Sequence, residues 1–272
     1  MGRMKSSQIA PVSGLTIDHF PALQDQPINN LAAGETLSLS DLMRVKIPTG
    51  GIIQWVIDAV DGQQVLPKLE GVILAQALIR TLYGKPFEET GGMEPPICFS
   101  ANSLTAKWNR SMPYPDNLHQ FGVPTENCLQ CPLAQWGTRP KNGNNANGRG
   151  MACQQRRIFL LMTLESQMPL LVTIPTSGLK VAKQYLIGLQ ALGLEHWQVL
   201  TSISLIEAKN ADGIKYAKPQ FLLLEKLPAT VVQAVKRYKQ TLEQQISTLQ
   251  FAASYPVLTA DAANSESVNA KD

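Results

Sequence analysis

A mainly β fold of the α+β class is what this sequence predicts: a small barrel with an inserted cysteine region, followed by a C-terminal helix. Three observations predict it. Apolar, β-prone runs of strand length recur on both sides of the middle of the chain. All four cysteines fall between those runs, within 98–153. One helical pattern near 177–192 interrupts the runs, and a second, at about 228–250, follows them. A chain of 272 residues suffices for one large domain or one domain with a substantial insertion. At 44% hydrophobic and 17% charged residues, collagen, wholesale disorder and a long coiled coil are excluded.

Residues 1–40, rich in Ser, Pro, Gln, Asn and Gly, read as an irregular N-terminal arm. Val45–Gly51 reads as a turn, and Ile52–Val60 as the first strand. Asp61-Gly62 is a hairpin signal, and Leu69–Tyr83 reads as a long strand with Gly71 and Gln76 as bulge or bend sites, a helix being the alternative because Ala and Leu are common in it. Pro95–Ser100 leads a short strand into Cys98. Beyond the cysteines, Arg157–Leu164 and Pro169–Thr176 are extended runs. Ser177 is a suitable N-cap for a helix whose Leu179, Ala182, Leu186 and Leu189 recur at helical spacing, with Gly193 as its stop. Trp197–Glu207 and Ile214–Leu227 form a hairpin about Asp212-Gly213. Pro228 opens the last helix. Its stripe of Val231, Val235, Tyr238, Leu242, Ile246 and Leu249 suits core packing, or else a partner helix in a homo-oligomer. From 251 to 272 the chain is small and polar, expected to be disordered, and from Tyr255 its net charge is −2.

The cysteines are Cys98, Cys128, Cys131 and Cys153. Cys128 and Cys131 form a C-x2-C turn, with 29 residues between Cys98 and the turn and 21 between the turn and Cys153. In a cytosolic chain this pattern reads as a metal site rather than disulfides. Zinc takes four thiolate or imidazole ligands in a tetrahedron, and one C-x2-C knuckle supplies two of them. The outer ligands here are single cysteines. The polar loop Pro140–Asn147 cannot build a core, so a structural metal would hold this region together. Buried inert thiols and a redox pair are the competing readings, and His119 is an alternative to Cys98 as ligand. Four thiolates leave no open position, which makes the site structural rather than catalytic.

Charge concentrates in the same place. From Ser103 to Arg157 seven basic and two acidic residues give +5, against +3 for the whole chain. Trp108, Tyr114, Phe121 and Trp136 are interleaved with them. Lys and Arg tracking phosphates, with aromatic faces stacking bases, is how single strands are held. The candidate contacts are Trp108, Trp136, Arg139, Lys141, Arg149, Arg156 and Arg157. The competing reading has the bases balancing thiolate charge and the tryptophans packing a small satellite core. No Gly-rich phosphate loop, no G-x-S-x-G and no carboxylate cluster occurs, and His19, His119 and His196 are scattered, so the chain reads as non-catalytic.

The order of elements suits an OB-like barrel, five strands with a helix between the third and fourth. The cysteine region, at about 98–153, would be an insertion in a domain spanning 41–227. A resemblance points the same way. Cys98-Phe99-Ser100, Cys128-x2-Cys131-Pro132-Leu133 with Trp136-Gly137, and Gly148-Arg149-Gly150-x-Ala152-Cys153 resemble a four-cysteine motif of phage- and mobile-element-encoded proteins. Leu170-x4-Pro175-Thr176-Ser177-x-Leu179 and Thr201-x-Ile203-x-Leu205 are similar too. The plan is similar to that of phage single-stranded DNA-binding proteins, which carry a zinc site within an OB-fold. The stretch Thr138–Gly143 departs from it, as a longer spacer. The resemblance implies structural zinc and single-stranded DNA as partner, in replication or recombination, with proteins of those processes as further partners. The alternative is a zinc-stabilised interaction or assembly subunit of a mobile-element complex. No apolar run reaches the length of a membrane helix and no apolar run follows the basic start, so no membrane association and a cytoplasmic location are expected.

Overall fold

A computed structural model describes residues 15–23, 30, 32, 39, 41–85, 95–139, 150–164, 166–210 and 213–245. Most of the N-terminal arm, the loop 140–149 with Lys141 and Arg149, Asp212, Ile246, Leu249 and the tail 251–272 lie outside the described residues. Among the described residues the fold is mainly β, 38% strand and 24% helix. The chain divides into two compact units, one drawing on the chain up to Gln76 and from Arg157, the other on Ala77–Arg156.

The first unit is a mixed sheet. Its strands are β1 (Arg44–Lys46), the first part of β4 (Lys68–Leu82), β7 (Gln154–Thr163) from Arg157, β8 (Leu170–Ile174), β9 (Val199–Lys209) and β10 (Lys215–Lys226). The strand order runs β1-β8-β7-β4, with β9 also on β4 and β10 on β9. Among the described residues these strands do not close into a barrel, which corrects the closed form of the expectation. The reason lies at one edge: Arg44–Lys46 pairs parallel with Leu171–Thr173, so β1 occupies the side of β8 where a closing strand would dock. The residues read as a turn at Val45 are thus in part a strand. Nor does the first predicted strand join the main sheet. β2 (Trp55–Ala59) pairs only with β3 (Gly62–Leu66), a separate hairpin, and the long β4 begins after Pro67.

Apolar alternation aims the core. Leu69, Ile73, Phe159, Leu161, Val172, Ile174, Ile203 and Leu205 are buried in one cluster with Trp55, whose Nε1 donates to the Ile203 carbonyl at 2.8 Å. Gly71 permits a close approach rather than a bulge: a Cβ there would overlap the Met162 carbonyl oxygen. Two helices cover this unit. The first full-length one spans Leu179–Ala191 after a 3-10 turn, Thr176–Gly178, so Ser177 lies in that turn and Gly178 takes the N-cap position. Its end follows the sequence. Gly193 has φ +69, its N–H donates to Gln190 and that of Leu194 to Leu189, the pattern of a Schellman cap. The last helix, Ala229–Gln245, buries Val231, Ala234, Val235 and Leu242 and packs against the 3-10 turns at Ile17–His19, Pro21–Leu23 and His196–Gln198. Its described apolar stripe is spent on the core of its own chain. No helix among the described residues is long and apolar enough to cross a membrane.

The second unit starts at the end of β4, where Arg80–Leu82 pairs antiparallel with β5 (Cys98–Ser100). β5 then pairs with β6 (Lys107–Trp108). A four-residue helix, Asp116–His119, and a 3-10 turn, Pro132–Ala134, follow. A bridge between Thr105 and Asn127 ties the knuckle to the end of the β5–β6 loop. In chain order the three helices described are α1 (Asp116–His119), α2 (Leu179–Ala191) and α3 (Ala229–Gln245).

Candidate metal centre and nucleic-acid contacts

Three local structures bring the cysteines together. Cys98 opens β5, opposite Leu82 on one side and Trp108 on the other. The Cys128-Leu-Gln-Cys131 knuckle is folded by its own backbone. Cys128 N–H donates to Leu104, Gln130 N–H to Asn127, and Ala134 N–H to Cys131. Pro132 then starts the 3-10 turn, where its missing N–H costs nothing. Cys153 is delivered by its N–H bond to the Leu133 carbonyl at 2.9 Å, just before β7. Thr138 locks this return: its hydroxyl donates to Gln135 at 2.8 Å and accepts from Ala152 N–H at 3.1 Å.

All four thiols are buried, none is in a disulfide, and all four line one cavity of about 10 Å³ with Arg80, Ser100, Ala106, Thr125 and Ala134. That is about the room one water-sized particle needs. Among the described residues no group of three or more His, Cys, Asp or Glu is drawn together closely enough to hold a metal ion. The cysteines share a cavity without being closed into a tetrahedron. His119 is engaged elsewhere, edge-on to the Tyr114 ring at 4.8 Å, and does not line this cavity.

Burial pushes the Cys98 thiol up to about 12, and the nearby Cys153, Cys131 and Cys128 sulfurs add to the rise. Burial also pushes Cys153 up to about 12, with Arg80 pulling it down and Cys131 and Cys128 pushing it up. Burial and the Cys131 sulfur raise the Tyr114 hydroxyl to about 12, and that hydroxyl donates to the Gly122 carbonyl at 2.6 Å. Raised by burial, the Cys98 and Cys153 thiols keep their protons unless a metal cation takes their place, since coordination deprotonates a thiol outright. Arg80 lies beside the thiols. Its guanidinium bonds to Cys153 and approaches the Met151 sulfur at 3.7 Å, and its Nε is buried without a partner. An arginine set against sulfur, with no ion pair to a carboxylate among the described residues, suits an anionic cluster. Four thiolates around a divalent zinc are such a cluster. Four cysteine sulfurs are the donor chemistry of a structural zinc, while among the described residues they are not drawn together into a metal-holding group.

The nucleic-acid candidates divide. Trp136 is 69% exposed, directly after the knuckle turn, and Arg139 is exposed three residues on. The Gly150 carbonyl holds both Gly137 N–H and Arg139 N–H. Trp108 is different: it packs on the satellite core, edge-on to Tyr114 at 6.4 Å, with Arg110 over its ring at 5.0 Å. That face is already covered. Arg156 bonds Gln154 at 3.0 Å and stands 5.9 Å from the Tyr83 ring. Arg157 bonds Gln76, and its half-burial lowers its affinity for the proton. Being consecutive in one strand, Arg156 and Arg157 leave opposite faces of β7 and cannot act as one patch. Sequence reasoning counted Lys107 among the bases but not as a contact, and missed Arg80 altogether. The β4–β5 register, Arg80 opposite Ser100 and Leu82 opposite Cys98, puts Arg80 diagonal to Cys98, and no local pattern announces that register.

No family model, no curated protein and no solved structure matches this chain.

Proposed function

We propose that this protein binds single-stranded DNA without catalysis, through an OB-like sheet unit whose first long connection carries a structural zinc centre of Cys98, Cys128, Cys131 and Cys153. The strand order carries the reading. Taken as β4, β7, β8, β9 and β10, the strands lie in the order 3-2-1-4-5, with α2 between the third and fourth. That is the pairing order of an OB barrel left open by the β1 strand. OB-folds bind oligonucleotides on strands 2–3 and on the loops joining strands 1–2 and 4–5. Here the strand 1–2 connection is the whole cysteine unit, the stretch of the chain where positive charge concentrates. Zinc fixes the shape of that connection, Arg139 neutralises phosphate and Trp136 stacks on a base. Four unpaired buried thiols suit a reducing compartment, which supports a cytoplasmic site of action. The cysteine-motif resemblance supports a role in replication or recombination of phage or mobile-element DNA.

A second reading has one observation in its favour. Ile52, Ile53, Val60 and Val65, on and beside the β2–β3 hairpin, are exposed aliphatics that suit an assembly partner. One experiment separates the two: metal content of the purified chain together with titration of labelled oligo-dT at 50 and 200 mM salt. Bound zinc and an affinity that falls steeply with salt are expected. Trp136→Ala should weaken oligo-dT binding by ~1–3 kcal/mol with no loss of zinc. Zinc without any oligo-dT binding would overturn the DNA reading and leave assembly.

A further inference from the structure

The β5–β6 hairpin carries a second cavity, distinct from the one between the cysteines. It holds about 250 Å³ and is lined by Phe99, Ala101, Asn102, Thr105, Ala106 and Lys107. That is below the range of drug-sized ligand pockets, and suits a single ring system. Its walls divide by chemistry: Phe99, Ala101 and Ala106 are apolar, while the polar atoms come from Asn102, Thr105 and Lys107.

The rim is built rather than incidental. Ser103 has φ +59, and among the described residues it is the one non-glycine with positive φ. Its buried hydroxyl donates to the Leu78 carbonyl at 2.9 Å and holds that conformation. Asn102 Oδ1 accepts from Leu104 N–H at 2.8 Å, Thr105 N–H at 2.9 Å and the Ser100 hydroxyl at 3.2 Å. A turn fixed by this many bonds keeps a strained residue in place, and such strain gathers at binding sites. What the turn leaves unused are donors. Asn102 Nδ2 spends one of its two protons on Thr105. Lys107 is exposed and has no ion pair among the described residues. A pocket with an apolar wall and donors at its rim suits a flat, acceptor-rich ring attached to a phosphate.

We propose that this pocket takes one nucleotide of a bound single strand, the base against Ala101 and Ala106 and its carbonyl edge or phosphate on Asn102 and Lys107. The proposal rests on the single-stranded DNA reading and names a contact that reading does not contain. The test is anisotropy titration of labelled oligo-dT against the zinc-loaded full chain, wild type, Lys107→Ala and Ala101→Phe, over a series of salt concentrations. Each variant should weaken binding about tenfold, the scale of losing one base contact. Lys107→Ala should also lower the salt slope by about one, and Ala101→Phe, which fills the pocket without removing charge, should leave it unchanged. Lys107 is at the surface, so its variant keeps the test valid should Ala101→Phe fail to fold. If wild type binds and both variants bind equally well with the same slope, the pocket proposal is overturned and the DNA reading stands. If wild type does not bind oligo-dT at all, both fall together.

Discussion

The two units of this chain solve the same problem with different materials. The sheet unit buries a cluster of Leu, Ile, Val, Phe, Trp and Ala side chains drawn from six strands of its sheet, the β2 hairpin strand and α2, and no cysteine belongs to it. The cysteine unit buries Leu82, Ile97, Leu118, Leu133 and Ala134, and the rest of its core cluster is Cys98, Cys131 and Cys153. A core that small cannot offset the conformational entropy of a segment with so little regular structure. The difference teaches where a cross-link would matter most: aliphatic and aromatic burial builds the sheet's core, whereas three of the eight buried residues of the loop-rich unit's cluster are cysteines, so the proposed zinc would act there.

The largest effect should come from breaking the cysteine side of this comparison. Replacing Cys128 and Cys131 by Ser removes half of the donor set, and the free energy of a structural zinc, about 10 kcal/mol or more, is folding free energy. Hydrogen exchange read by mass spectrometry should show amides in 95–139 losing protection while β8, β9 and β10 keep theirs. Equal protection in mutant and wild type would show that the unit stands without metal.

The mirror experiment strikes the sheet. Phe159 is buried at the centre of the first cluster, edge-on to Phe221 at 5.7 Å. Phe159→Ala should cost ~3–5 kcal/mol, read as a shift in the denaturant midpoint, with bound zinc unchanged in native buffer. Zinc lost together with sheet stability would mean that the two units fold as one, and the comparison would collapse.

How much of this was legible depends on how local the cause is. β7, β8, β9 and β10 came within a few residues of their bounds, because each is a strongly apolar or alternating run. The long β4 was visible for the same reason. β1 was missed, since Arg44-Val45-Lys46 is three residues with a single apolar one, and it is a strand only because β8 offers an edge. β3 was missed because Gln63, Gln64 and Val65 face solvent and pattern cannot mark them. The open barrel follows from the same long-range pairing. The spacing drew the four cysteines to one region, where they line one cavity without forming a metal-holding group among the described residues, whereas the partial burial of Trp108 and the engagement of Arg156 and Arg157 were not readable. Those depend on what each side chain meets, and composition reports only that charge and aromatic rings are nearby.

Arg80 sharpens the comparison at its smallest scale. Its guanidinium bonds Cys153, lines the thiol cavity and has no carboxylate partner among the described residues. Without a metal this is a half-buried cation beside thiols, with no anion to offset it among the described residues. Around the proposed zinc tetrathiolate it would neutralise one of the two excess negative charges and donate to a ligand sulfur, and such outer partners typically govern affinity by 10–100-fold. Arg80→Met keeps the aliphatic stem and removes only the charge and the donors. Competition with a chromophoric chelator should then show zinc held about tenfold or more weakly, while the denaturant midpoint of the sheet unit stays where it was. The direction is what discriminates. If the cysteines were inert buried thiols, removing an uncompensated cation beside them would stabilise the unit and no metal affinity would change, so tighter folding in Arg80→Met would count against the zinc centre more directly than any cysteine substitution.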